Sequence, residues 1–469
     1  MSRVKYWVLI ILSVAVIASI GMDATRGNYR WQLLPGLISS LVALISSLVL
    51  MQLKIRSSLM FLTVAGLGVL GVLASAVFTY LYPMFALPVP TGQYPVGTTS
   101  IDLVDSSRME LCDPTSRSHR ELFVRVWYPA SKNTGTKAPY LQDPRLFPSG
   151  RFSHLNAIET NAIVNAPLAT ADAPYPVAIY SPSWSGYKTD NTFQTQELAS
   201  HGFVVIGLEH PCAVPMAIYP NGRVIYSTLP AADYASSDAA MARFLRVAEA
   251  QIVLRTRDVS FVIDRLSQID TRLQQLSVSG KSSPRRTLDL ANIGIFGHSF
   301  GVQFAAQACA VDPRLKAGMN MDGLLFGSAA KQGATQPFFF MNSDYPRPTA
   351  AALKSPDGSR RRSQLTDEWG FQQRERWFQQ HGGYNLTLLN SAHFNFSDTP
   401  LKSRIDNGGG KISPERAMKI VNAYTVAFFD RQLKGKQSAL LAGVAAQPQH
   451  RKSGSPFPEA IFENHFSSN

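Results

Sequence analysis

The hydrophobic positions of this chain fall into two regimes. In the first, apolar residues run without a break: Tyr6–Met22, Leu33–Leu53 and Leu59–Tyr82 carry no charged residue. A membrane-spanning helix needs about 20 predominantly apolar residues, and each run is near that length. Tyr6, Trp7, Trp31, Tyr80 and Tyr82 stand at the ends of the runs, where amphipathic rings favour a bilayer interface. Pro35 falls in the first turn of the second run, where a proline is tolerated. Small residues recur every fourth position at Ser39, Ala43 and Ser47, and again at Gly71, Ser75 and Thr79. That spacing lets two helix backbones approach closely. A cleaved signal peptide is the competing reading of the first run, but two more runs follow it. No acid, base or His lies inside the runs, so the pattern shows no ion or proton path. It predicts a three-helix membrane anchor over residues 1–85.

After a stiff linker at Pro83, Pro88, Pro90 and Gly92 the period changes. Thr99–Val104 and Arg120–Trp127 read as a strand pair; in the second, Leu122, Val124 and Val126 alternate with Phe123, Arg125 and Trp127, a period of two. Residues 131–173 are polar and aperiodic and read as an insertion or lid, with further insertions expected at about 211–249 and 345–380. Apolar strand runs at Val177–Tyr180, Phe203–Leu208, Ile293–Phe296, Ala317–Met321, Pro337–Met341 and Leu386–Leu389 alternate with helical stretches at Asn191–Ser200, Ala239–Leu266, Phe300–Ala310 and Pro414–Leu433. Pro220-Asn221-Gly222 marks a hairpin turn, and Ser413-Pro414 is a helix start. Leu386–Leu389 is expected to be the last strand and residues 446–469 a loosely packed tail. Strands alternating with helices predict an α/β domain with a mostly parallel sheet over residues 86–445.

Composition sharpens this picture. Charged residues are 16% of the 469, below the roughly 25% usual for soluble domains, which excludes a highly charged disordered chain. The net charge is +13, of which residues 1–90, with six Lys/Arg and one Asp, hold +5 and the remainder +8. Arg3 and Lys5 precede the first run and Lys54 and Arg56 fill the short second loop, whereas the first loop holds Arg26 and Arg30 and no charge follows the third run until Asp102. Basic short loops favour the cytoplasmic side. The N-terminus is therefore expected inside and everything after about residue 85 outside the cytoplasm. A basic domain tethered beside a bilayer suits anionic lipid, so nucleic acid is the weakest reading of the charge. Cys112, Cys212 and Cys309 are too few for a disulfide scaffold and lack the paired spacing of a zinc site. They read as free or buried thiols with one bridge at most.

The candidate chemistry sits at Gly297-His298-Ser299-Phe300-Gly301. This G-x-S-x-G follows a predicted strand and opens a predicted helix, the context of a nucleophile elbow. A serine hydroxyl needs a base, and in such a fold the acid and then the His follow the Ser. His381 reads as loop before the last strand, and His450 and His465 lie in the tail. His393, four residues past the last strand, is the expected base. The acid is open between Asp322 and Asp344, each after a strand end, where catalytic groups of open α/β sheets gather; Asp398 reads as a loop cap. Two backbone N–H groups must hold the oxyanion. Phe300 supplies one, and the loop Ser181–Tyr187 is suited to the other. No metal or cofactor is required. Gly408-Gly409-Gly410-Lys411 lacks the following Ser/Thr of a phosphate loop, Arg360-Arg361-Arg362 reads as a solvated loop, and the sequons at Asn385 and Asn395 fall in or beside core elements.

The stretches Pro90–Gly97, Val126–Ala130, Leu198–Val205, Glu209-His210, Gly297–Gly301 and His393–Asp398 resemble the platelet-activating factor acetylhydrolase family (the plasma and type II intracellular kind) within the α/β-hydrolases. The resemblance implies an α/β-hydrolase fold and calcium-independent release of short or oxidised sn-2 acyl chains from phospholipid. It favours Asp322 as the triad acid and maps the oxyanion donors to the backbone of Trp184 and Phe300. Where the family often has His-Gly-x-Gly, this chain reads Pro182-Ser183-Trp184-Ser185. The implied protein is a membrane-anchored serine esterase acting on an ester or phospholipid, with oligomeric state unassigned. An acyltransferase using the same acyl-enzyme, or a binding protein on a retired hydrolase fold, are the alternatives.

Overall fold

The computed structural model describes residues 4–25, 30–55, 57–112, 118–277, 286–406, 408–442 and 456–466. Arg3, Arg26 and Arg56, used above for topology, and His450 lie outside these residues. The chain forms two compact units. One comprises Met1–Ala86, Pro139–Glu159 and Thr399–Asn407, the other Leu87–Ala138, Thr160–Asp398 and Gly408–Asn469.

In the first unit the three apolar runs are helices α1 (Val4–Thr25), α2 (Leu34–Gln52) and α3 (Ser58–Leu81), each long and apolar enough to cross a membrane. The small-residue spacing explains how α2 meets α3. The Gly36 N–H donates to Ser75 Oγ at 2.8 Å. A Cβ on Gly71 would stand 2.0 Å from Ser39 Oγ, so only glycine permits that approach. Gln32 Nε2 donates to the Tyr82 carbonyl at 2.7 Å, and Trp31 Nε1 donates to that of Arg151 at 3.2 Å.

The second unit is built on strands β1 (Val96–Met109), β2 (His119–Pro129), β3 (Lys137–Pro139), β4 (Glu159–Val164), β5 (Tyr175–Ser181) and β6 (Val204–Gly207). They are followed by the hairpin β7 (Met216–Ile218) and β8 (Val224–Tyr226), then β9 (Leu288–His298), β10 (Leu315–Met321), β11 (Phe338–Ser343), β12 (Tyr384–Leu388) and β13 (Ala460–Asn464). All but the hairpin join one sheet in the order β13-β12-β11-β10-β9-β5-β6-β2-β1-β4-β3. The six strands from β12 to β6 are parallel. Helices α4 (Thr192–Ser200), α5 (Asp238–Asp264), α6 (Leu266–Gln274), α7 (Gly301–Val311), α8 (Ala329–Gln332), α9 (Ala350–Leu353), α10 (Gly358–His381) and, after α11 (Thr399–Lys402) of the first unit, α12 (Pro414–Lys434) complete the order. Side chains alternate across a strand, and β9 shows the result. Ile293 and Ile295 join Val259 of α5, Ile269 of α6 and Ala305 of α7 in the main core, while Phe296 and Gly294 face Phe429 of α12.

Three expectations are corrected, for the tail, for Arg360–Arg362 and for His381, and the cysteine pairing left open is filled in. The tail holds a strand: β13 pairs antiparallel with β12 and packs Phe462 on Tyr384, a segment too short for its period to register. Residues 345–380 hold the long helix α10. Its buried seam, Thr366, Gly370, Gln373 and Trp377, is helically spaced but mostly not apolar, so the hydrophobic pattern hides it. Arg360, Arg361 and Arg362 are thus its first turns, with Arg362 donating to the Ala235 and Ser236 carbonyls, and His381 is its last residue rather than loop. Cys112 and Cys212 form a disulfide across 100 residues, leaving Cys309 free and buried.

Candidate active site

Strand β9 runs straight into the elbow. Ser299 takes a left-handed φ of 57°, a strained conformation for a side-chain-bearing residue. Its N–H donates to the Met321 carbonyl at the end of β10 (2.9 Å). The flanking glycines are steric necessities: a Cβ on Gly297 would lie 2.4 Å from the Gly301 backbone, and one on Gly301 2.2 Å from the Ser181 carbonyl oxygen.

His393 Nε2 stands 2.9 Å from Ser299 Oγ, and its Nδ1 stands 2.8 Å from Asp322 Oδ2. The other Asp322 oxygen accepts from the Ser343 N–H at 2.7 Å and the Ser343 hydroxyl at 2.8 Å. Asp322 also has a left-handed φ, 54°, in a turn closed by Asn320, which accepts from the Gly323 N–H and donates to the Gly323 carbonyl, both at 2.9 Å. Burial pushes the Asp322 carboxyl up, but His393 and the Ser343 donors outweigh it and hold the group below its usual range. Asp344 is turned elsewhere: its carboxylate accepts from the Asn390 N–H at 2.8 Å.

Behind His393 lies His298, the first variable residue of the pentapeptide, with ring centroids 4.7 Å apart. Burial, then the neighbouring His393, push His298 down to about 3, so it is neutral. Its Nε2–H donates to the His393 carbonyl at 3.0 Å, which fixes the backbone at His393. The His393 loop is also tied to the β5–α4 connection. Asp398 accepts from the Thr192 and Phe193 N–H groups at 2.9 and 3.2 Å, capping α4 from more than 200 residues away. Asn191 Nδ2 donates to the Phe396 carbonyl at 2.7 Å, and Asn395 accepts from the Ala392 N–H at 2.8 Å. Asn191, Asn320 and Ser343 were given no site role in the sequence, and Asn395 and His298 were named only as part of a sequon and of the pentapeptide. Only the residue type signals them, since Asn and Ser readily bond backbone groups.

The Trp184 and Phe300 rings meet edge-on at 4.5 Å, so the two residues proposed to bind an oxyanion are neighbours. Among the described residues, no protein acceptor pairs with either backbone N–H. A cleft of about 870 Å³ at the opposite ends of β5 and β9, lined by Tyr94, His201 and Lys434 among others, shares no residue with the triad. Its Lys434 is engaged by Asp430 and the His201 carbonyl.

Comparison with known proteins agrees with this architecture. Residues 82–440 match the family model described as platelet-activating factor acetylhydrolase, isoform II. The platelet-activating factor acetylhydrolase of Cavia porcellus is 25% identical over 375 residues, covering 74% of this chain and 78% of that protein. A probable 1-alkyl-2-acetylglycerophosphocholine esterase of Arthroderma benhamiae is 23% identical over 449 residues, 85% of this chain and 99% of its own. The solved ferulic acid esterase of Streptomyces cinnamoneus superposes with a TM-score of 0.60 at 26% identity, over 81% of this chain and 99% of that one.

Proposed function

The chain belongs to the platelet-activating factor acetylhydrolase, isoform II, family and is a carboxylic-ester hydrolase, and from that premise we propose a membrane-anchored serine esterase that works through Ser299, His393 and Asp322. The unbroken hydrogen-bond chain Ser299–His393–Asp322 is the observation that carries this reading. Ser299 Oγ attacks the ester carbonyl as His393 Nε2 takes its proton. The ionised Asp322, fixed by Ser343, holds His393 in the tautomer with Nδ1–H and stabilises the imidazolium. The N–H groups of Trp184 and Phe300 receive the oxyanion. His393 then protonates the leaving alcohol and activates the water that frees the acid. Every step uses residues of this chain alone.

The three apolar helices are the anchor, and the basic short loops favour a cytoplasmic N-terminus. The Cys112–Cys212 disulfide independently supports a hydrolase unit outside the cytoplasm, where such bridges persist. Substrates are esters accessible at a bilayer, with short or oxidised sn-2 acyl chains of phospholipids foremost. The test uses the full chain in lipid vesicles, offered phospholipids of graded sn-2 length together with a fluorophosphonate probe. Hydrolysis favouring the shortest chains and probe mass on the Ser299 peptide are expected. Probe on another serine, or no hydrolysis of any ester, would overturn the reading.

A further inference from the structure

Arg255, on α5, is buried to within 1% of complete exclusion from solvent, yet its guanidinium has no direct carboxylate partner among the described residues. It spends its donors on the backbone beside the proposed oxyanion site. Nη1 donates to the Ser183 carbonyl at 3.1 Å, Nη2 to the Trp184 carbonyl at 2.6 Å, and Nε to Gln251 Oε1 at 3.0 Å. The cation also lies over the rings of Phe304 (4.8 Å) and Phe300 (6.0 Å). A buried cation is costly unless its bonds are well made, and charge-assisted bonds of this kind are about twice as strong as neutral ones.

The consequence is geometric. The Ser183–Trp184 peptide is trans, since the sole cis bond among the described residues is Ala173–Pro174. In a planar trans peptide the C=O and the next N–H point to opposite sides. Holding the Ser183 carbonyl on the Arg255 side therefore aims the Trp184 N–H away from α5. Holding the Trp184 carbonyl as well blocks rotation of the next peptide. The same guanidinium braces Phe300, the residue of the second donor. We propose that Arg255 is a positioning residue that sets the direction of the Trp184 N–H, and so the competence of the oxyanion site, without itself touching substrate. This rests on the esterase reading above.

The experiment compares wild type with Arg255→Lys, Arg255→Met and Gln251→Ala on p-nitrophenyl acetate. It reads kcat, KM, melting temperature and the Ki of a trifluoromethyl ketone that forms a tetrahedral adduct on the serine. Because a misplacement of about 1 Å can lower a rate by about 10²-fold, Arg255→Met should lower kcat by about 10–10²-fold and weaken the ketone by a similar factor, with KM within about threefold. Arg255→Lys, which reaches one carbonyl at a time, should fall between, and Gln251→Ala, at a partly exposed site, should lose severalfold by freeing Nε. If Arg255→Met does not fold, the lysine and Gln251 variants carry the test. Unchanged kcat and Ki in the folded variants, or equal losses in KM and kcat, would overturn the positioning role. A wild type inert toward both ester and ketone would instead overturn the esterase reading.

Discussion

The hydrolase unit holds two chains of serine, histidine and aspartate, and they differ in charge and exposure rather than in connectivity. In the elbow, Asp322 Oδ2 meets His393 Nδ1 at 2.8 Å, and His393 Nε2 meets Ser299 Oγ at 2.9 Å. Beside β6, Asp258 Oδ2 meets His210 Nδ1 at 2.9 Å, and His210 Nε2 meets Ser181 Oγ at 3.5 Å. The second aspartate is already neutralised. Arg120 donates to both its oxygens at 2.7 and 2.5 Å and also to Glu110 at 3.0 Å. Asp322 has only the neutral Ser343 donors as direct partners beside its histidine, and the Arg374 cation that it attracts bonds Asn342 instead. Ser181, His210 and Asp258 are all but fully buried, whereas the His393 side chain is 39% exposed. A histidine becomes a useful base when an uncompensated carboxylate can stabilise its cation and a substrate can reach it. The inner chain fails both conditions and reads as a structural knot joining β2, α5 and the end of β6.

The sharpest way to break this comparison is to remove each serine in turn. Ser299→Ala should lower kcat on p-nitrophenyl acetate by about 10⁴-fold or more, while Ser181→Ala should stay within about threefold, as befits a long, buried contact. Equal losses would mean that the inner chain takes part in turnover. The acids come next. Asp322→Asn should reduce kcat by about 10⁴-fold, because an amide favours the wrong His393 tautomer, and Asp344→Asn, which only loosens the Asn390 turn, by less than about threefold. A severe loss confined to Asp344→Asn would move the acid to the next strand.

The inner aspartate should reverse the balance between activity and stability. Asp258→Asn removes the carboxylate that faces both Arg120 and His210, and breaking a buried pair costs about 3–5 kcal/mol. The folded fraction should retain kcat. Urea unfolding followed by tryptophan fluorescence, alongside activity at low denaturant, reads both quantities. A stable variant with low kcat would make Asp258 a second catalytic acid.

How far these two chains could be read in the sequence follows from the range of each signal. Ser299 was legible because the G-x-S-x-G lies between a strand and a helix, all within a dozen residues. His393 followed from its place after a strand, although β12 was not the last strand of the sheet. Which of Asp322 and Asp344 reaches His393 was not legible from spacing, since both end strands. It depends on the left-handed turn that Asn320 closes around Asp322. The Asp258 knot left no local trace: its members come from residues 110, 120, 210 and 258, and only the sheet brings them together. The three apolar helices were the easiest to read, because an uninterrupted run needs no partner to declare itself. Helix α10 was the hardest, because Thr366 and Gln373 stand in its buried seam where apolar residues were sought.

The smallest expected effect concerns pH, and it sharpens the comparison by separating neutral from charged histidines. Burial pushes His210 from 6.5 down to about 4, against the pull of Asp258. Burial and His393 push His298 from 6.5 down to about 3. A group with a depressed folded value contributes stability that is complete above its unfolded value and drains away as pH falls toward the folded one, because the unfolded chain then binds more protons. Both histidines should therefore make the melting temperature decline as pH drops from about 6.5 toward 4, with Asp322, also depressed, adding to the decline only below its ordinary value of 3.8. His298→Gln keeps a donor for the His393 carbonyl and cannot titrate, so its melting temperature should fall less steeply over that window while its stability at pH 8 stays near wild type. Parallel slopes for the two proteins would show that His298 is not held neutral behind the base, and that the backbone of His393 is fixed by something other than this bond.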